Sequence, residues 1–136
     1  MQLTLTKKQF RRLLDLVYIG NWVLNSARGP DRLEDYDEVE SLLFGKCAEE
    51  KMEVLCDTRG PVPLPSKAFA EGGIHEAIMD YEDAVFFSIL SEELAHRDAA
   101  EEGFASDPKE LYARMNAYME EFFQNGILNV TVDADL

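Results

Sequence analysis

The chain is expected to fold as a mainly α-helical protein, a compact bundle of about four helices in a single helical domain, residues 1–136, with short β-strands at the two termini. Three observations lead there. Apolar residues recur at three- and four-residue spacing, helix caps open those stretches, and Gly- or Pro-containing breaks separate them. With 136 residues and 46% hydrophobic content, the chain can bury a core without a disulfide or a metal.

The first helix, expected over residues 7–28, is the best marked. Thr6 with Gln9 makes a capping box, and Leu5 with Phe10 makes a hydrophobic staple. Phe10, Leu13, Leu14, Val17, Asn21 and Leu24 share one face, while Leu16, Ile19 and Val23 populate another. A helix apolar nearly all round is expected to be central and buried, so that Val17→Asp abolishes folding. Asn21 and Asn25, one turn apart, need polar partners there.

Arg28-Gly29-Pro30 closes this helix and Asp31 is the expected cap of a second, residues 32–55, which carries Leu33, Tyr36, Val39, Leu42, Leu43 and Cys47 and is interrupted near Gly45. On one continuous helix Cys47 and Cys56 point in opposite directions, which predicts two free thiols in the core. The stretch Arg59-Gly60-Pro61-Val62-Pro63-Leu64-Pro65 is expected to run extended across the surface. Ser66 then caps a short turn.

Gly72-Gly73 precedes a long helix, residues 73–103, with Ile74, Ile78, Tyr81, Val85 and Ile89 on one core stripe and Phe86, Leu90 and Leu94 on the next. Asp107-Pro108-Lys109-Glu110 opens a last helix, residues 108–125, which Asn125-Gly126 ends. Leu3-Thr4-Leu5 and Leu128-Asn129-Val130-Thr131-Val132 alternate with period two and are the expected terminal strands.

The formal charge is -14, from 27 acidic and 13 basic residues. Such a surface repels nucleic acid and anionic lipid, which argues against direct contact with either. One region departs from this balance: Lys7, Lys8, Arg11, Arg12 and Arg28 face Asp15 alone, a polarity able to orient one copy against another. The start of the chain lacks a hydrophobic signal core, and Leu13–Leu24 is too short for a bilayer, so a cytoplasmic location is expected.

Little in the sequence points to chemistry. Glu93-Leu94-Ala95-His96 has the Glu-x-x-His spacing of half a di-iron carboxylate site, and Glu92 also lies one turn from His96, so Glu92, Glu93 and His96 are the candidate metal ligands. No local motif pairs a nucleophile with a base, and Gly72-Gly73 is flanked by Glu71 and Glu76, the wrong charge for a phosphate cradle. Catalytic residues and cofactors are therefore expected to be absent. Glu76, Asp80 and Asp83 form a like-charged stripe whose pairs each cost about 0.2–0.5 kcal/mol. A basic partner would offset that repulsion, which makes these three the candidate partner-binding residues.

Tyr81-Glu82-Asp83-Ala84-Val85-Phe86-Phe87, Leu94-Ala95-His96-Arg97-Asp98, Tyr118-Met119-Glu120-Glu121-Phe122 and Gly126-Ile127 together resemble small uncharacterised bacterial helical proteins. The resemblance implies no activity, cofactor or site. The sequence is best read as a non-enzymatic accessory or regulatory protein that acts through protein contacts and self-associates. The alternatives are an acidic inhibitor, immunity protein or nucleic-acid mimic directed at a basic protein, and a carboxylate-metal enzyme.

Overall fold

The computed structural model describes residues 2–134, and 68% of the chain is helical. Four main helices and a small antiparallel sheet make up the structure, α1 (Lys7–Asn25), α2 (Glu34–Phe44), β1 (Cys56–Asp57), β2 (Leu64–Pro65), the short α3 (Lys67–Phe69), α4 (His75–Glu102) and α5 (Pro108–Asn125). The chain divides into two compact units, the first ending at Ile78 and the second beginning at Met79, and α4 contributes to both.

In the first unit the capping box forms as expected. Thr6 N–H donates to Gln9 Oε1 at 2.9 Å, and Gln9 N–H donates to Thr6 Oγ1 at 3.2 Å. The helix ends at Asn25 rather than Arg28, because Arg28 folds back: its Nε donates to the Leu24 carbonyl at 2.8 Å and its Nη1 to Asp31 at 2.8 Å. Asp31 is thereby engaged and does not cap α2. Leu33 stands at the N-cap position with no side-chain cap of its own, and Asn25 serves instead, its Oδ1 accepting the Leu33 N–H at 2.9 Å.

The second helix stops at Phe44, not near residue 55. A 3-10 turn at Gly45–Cys47, further turns, and a left-handed Lys51 (φ 59°) carry the chain into β1. Gly45 suits this close approach, since a Cβ at that position would crowd Pro63 Cγ at 3.2 Å. The proline-rich loop thus closes on the end of α2 and returns as β2, pairing Cys56 with Pro65 and Asp57 with Leu64. Cys47 and Cys56 therefore share no helix, and the phase argument that separated them does not apply. Both thiols are nevertheless free. Cys47 is buried in the core and Cys56 packs against it.

That core consists of Phe10 and Leu14 of α1, Phe44, Cys47, Phe69 of α3, and Ile74. Phe44 and Phe69 meet edge to face at 4.8 Å, and Tyr18 meets Phe69 in the same way at 5.2 Å. Ser66 caps α3 as expected, accepting the Phe69 N–H at 3.1 Å. The expected all-round burial of α1 is not found. Only Phe10, Leu14, Asn21 and Asn25 are buried, while Leu16 and Val23 are each 67% exposed, because α2 and α3 cover a single face. Val17 is only half-buried, so Leu14 is the position where a charge would enter the core.

The second unit is an antiparallel hairpin of α4 and α5. Gly103 (φ 85°) ends α4, with the Gly103 and Phe104 N–H groups both donating to the Ala99 carbonyl at 3.1 Å. Asp107 caps α5 as expected, accepting from the N–H groups of Lys109 at 2.9 Å and Glu110 at 3.3 Å, and Gly126 (φ 57°) ends it. The buried line of α4 is Ser91, Ala95, Asp98 and Ala99, facing Phe122 of α5 and Phe104. The expected core residues Tyr81, Phe86 and Ile89 are exposed, since the covered face of α4 is set by α5, whose end reaches only to Phe87, 5.5 Å from Phe122.

Neither terminal segment is a strand; Leu3–Leu5 and Leu128–Val132 have no ladder partner, and the sheet is internal. Among the described residues no helix is long and apolar enough to cross a membrane.

Two outcomes follow from this packing. In urea unfolding, Leu14→Ala should lose about 2–5 kcal/mol, whereas Leu16→Ala should stay within about 0.5 kcal/mol of the parent. In thiol labelling of the native chain, Cys47 should react far more slowly than Cys56, because burial pushes the Cys47 thiol up to about 11. Equal labelling rates would contradict this placement of the core.

Candidate functional site

The residues singled out by spacing do not converge. Glu92 and His96 approach across one turn at 3.9 Å, both exposed, and Glu93 takes no part in the pair. Among the described residues no group of three or more His, Cys, Asp or Glu is placed to hold a metal ion. Glu76, Asp80 and Asp83 are exposed along α4 and none forms an ion pair among the described residues. His75 belongs to a different cluster: its Nε2 shares a 2.7 Å hydrogen bond with Tyr18 OH, and its ring stands edge-on to Trp22 at 4.8 Å.

The structure assembles two polar centres that no local pattern announces. The first ties the hairpin of the second unit. Asp98, 6% exposed, accepts from Tyr118 OH at 2.6 Å, Arg97 Nη2 at 2.8 Å and Arg114 Nη1 at 2.5 Å. Arg114 also grips both oxygens of Glu102, at 3.0 and 2.8 Å. The Tyr118 hydrogen bond, then those from Arg97 and Arg114, hold the Asp98 carboxyl down to about 2 against the cost of burial. Holding Asp98 from both helices, this centre is a clamp between α4 and α5.

The second lies along α2 in the first unit. On its outer side an open cleft of about 850 Å³ runs between the helix and the proline loop, with Leu42, Val62 and Leu64 as its apolar part and Glu34, Asp37, Glu38 and Glu40 as its acidic part. On its inner side a pocket of about 180 Å³ is lined by Tyr18, Asn21, Trp22, Ser26, Arg32 and Glu40. Glu40 borders both. Arg32 is chelated by Asp37, through Nε at 2.6 Å and Nη2 at 2.7 Å, and Asn21 Nδ2 donates to the same carboxylate at 2.9 Å.

No family model, curated protein or solved structure matches the chain. Around α2 stand carboxylates, aromatic rings and apolar side chains, a set suited to holding cationic and apolar groups. The thiols nearest to it are held protonated by burial, the opposite of an activated nucleophile.

Asp98 sets a pH dependence. Its folded pKa of about 2 lies below the ordinary 3.8, so its contribution is fully present above about pH 4 and is lost as pH falls through about 2. Asp98→Asn should remove that acid-dependent component and lower stability by about 1–3 kcal/mol at neutral pH, leaving Arg97 and Arg114 short of a partner. Superimposable acid-unfolding curves for the two proteins would refute the clamp.

Proposed function

We propose that this chain is a non-enzymatic accessory or regulatory protein that works through protein contacts and self-associates. The observation that carries this reading is the apolar surface that the second unit leaves uncovered. Phe86, Ile89, Tyr112 and Ile127 of the second unit are all more than half exposed, and Phe123 is 92% exposed. Isolated apolar side chains are ordinary on a surface, but a hairpin that leaves its aromatics outward on both helices has an apolar face still to bury.

A specific observation also supports a basic partner. The second unit holds 14 of the 27 acidic residues and only three of the 13 basic ones, a net -11 beside its exposed aromatics. Two such surfaces repel each other at low salt, while a basic amphipathic surface is attracted. This keeps the reading of an acidic inhibitor or mimic in view, with Glu76, Asp80 and Asp83 on the same helix as Phe86 and Ile89.

Sedimentation velocity over a range of concentrations and salts separates the two. Self-association through apolar contact should persist or strengthen at high salt, and Phe123→Ser should weaken it at least about tenfold without altering the circular dichroism spectrum. A chain that stays monomeric at all salts, yet binds a basic protein only at low salt, would replace self-association with the inhibitor reading.

A further inference from the structure

Among the acidic side chains, Glu40 is set apart by being 9% exposed with no hydrogen bond or ion pair closing on its carboxylate among the described residues. A buried carboxylate is ordinarily paired, because removing the charge from water is unfavourable. The neighbours that would pair it are engaged. Arg32 is forked onto Asp37, and the Asn21 amide also donates to Asp37. Burial accordingly raises the Glu40 carboxyl above its ordinary range, with Asn21 and Arg32 pulling the other way and Asp37 adding to the rise. Arg32 lines the pocket beside Glu40, but its charge is answered by Asp37 outside the lining, which leaves the Glu40 carboxylate uncompensated.

The walls of the pocket select the kind of cation. Tyr18 and Trp22 stack with ring centroids 6.3 Å apart, and His75 braces both rings, edge-on to Trp22 at 4.8 Å and to Tyr18 at 5.6 Å. Aromatic walls next to a carboxylate favour a weakly hydrated organic cation, which gains cation–π attraction and charge-assisted hydrogen bonds together. A divalent metal would need two more anionic or imidazole ligands, and no such group of three exists among the described residues. Phosphate and carboxylate ligands would meet Glu40 as a like charge, with Arg32 already forked onto Asp37. A cavity of about 180 Å³ admits a short alkyl chain with one charged head.

We propose that this pocket binds a primary alkylammonium group, as carried by a lysine side chain or a free alkylamine. Glu40 accepts the ammonium N–H bonds, and Tyr18 and Trp22 cover the methylenes. All of these residues belong to the first unit, so the proposal stands whether or not the second unit drives self-association.

Trp22 is the single tryptophan, which makes its fluorescence a direct probe of the pocket. The intact chain would be titrated with n-butylamine hydrochloride and, as a neutral control, n-butanol. A second arm would use a blocked Gly-Lys-Gly tripeptide and its side-chain-acetylated form. Both amines should shift Trp22 emission saturably, while butanol and the acetylated peptide should not. Tripeptide binding about tenfold tighter than butylamine would assign the pocket to lysine of a protein partner, and equal affinities would assign it to a free amine. Glu40→Gln should weaken either amine at least about tenfold. Glu120→Gln, on the exposed surface of α5, should not. Should Glu40→Gln fail to fold, the NMR shift of the Glu40 carboxyl carbon in the unmodified chain provides the same test, moving as the ammonium arrives. No saturable response to either amine, an equal response to butanol, or unchanged binding by a folded Glu40→Gln would overturn the proposal.

Discussion

The amide of Asn25, 1% exposed at the last turn of α1, satisfies the backbone at the entry to α2 and so fixes where the chain returns to helix. Its Oδ1 accepts the Leu33 N–H at 2.9 Å, and its Nδ2 donates both to the Leu33 carbonyl at 3.0 Å and to Asn21 Oδ1 at 2.7 Å. Asn21 passes the connection on to Asp37 in the first turn of α2. A buried amide left without partners costs about 1–3 kcal/mol, so this chain of hydrogen bonds admits one arrangement of α2 against α1 and penalises others. Everything in the first unit that bears on binding depends on that arrangement. With Asp37 turned to Asn21 and Arg32, Glu40 one turn later is left beside Tyr18 and Trp22 without a pair of its own.

The second unit is held by a different device. Two antiparallel helices have little interior, and here small residues, Ser91, Ala95 and Ala99, occupy the buried line of α4. Asp98 on that line meets Tyr118 and Arg114 of α5, together with Arg97 of its own helix. A polar clamp fixes register without filling volume, and Phe86 and Ile89 of α4 and Tyr112 and Phe123 of α5 stay outward. The acids add a strong field around these apolar residues. Apolar contact and charge selection thus act on the same unit, and a partner must answer to both.

Much of the local structure was legible in the sequence because capping is a local event. Thr6 with Gln9, Ser66, Asp107 with Pro108, and Gly126 all act within a few residues of themselves, and each does in the structure what its spacing implies. The interruption near Gly45 was legible, but not that the helix fails to resume after it, since the hydrophobic period continues past Gly45 and the loop that closes there brings in Pro63, which is distant in sequence. Periodicity also reported which faces of α1 and α4 are apolar without saying which would be covered, and Leu16, Val23, Phe86 and Ile89 ended outside. The polar centres were hidden for a related reason. Asp98 and Tyr118 stand 20 residues apart, and nothing in the sequence marks Glu40 among its acidic neighbours until the partners of Arg32 and Asn21 are known. The Asn21 and Asn25 pair was visible as a demand for partners, though not who would meet it.

Asn25→Ala tests the dependence of the first unit on this network most directly, by urea unfolding together with amide hydrogen exchange. The variant should lose more than about 2 kcal/mol, because the Leu33 backbone and Asn21 Oδ1 are left unsatisfied in a buried place. Exchange protection should fall across α2, whereas α5, in the other unit, should keep its protection. A variant within about 0.5 kcal/mol of the parent, with α2 as protected as before, would contradict the account by showing that apolar packing alone positions that helix.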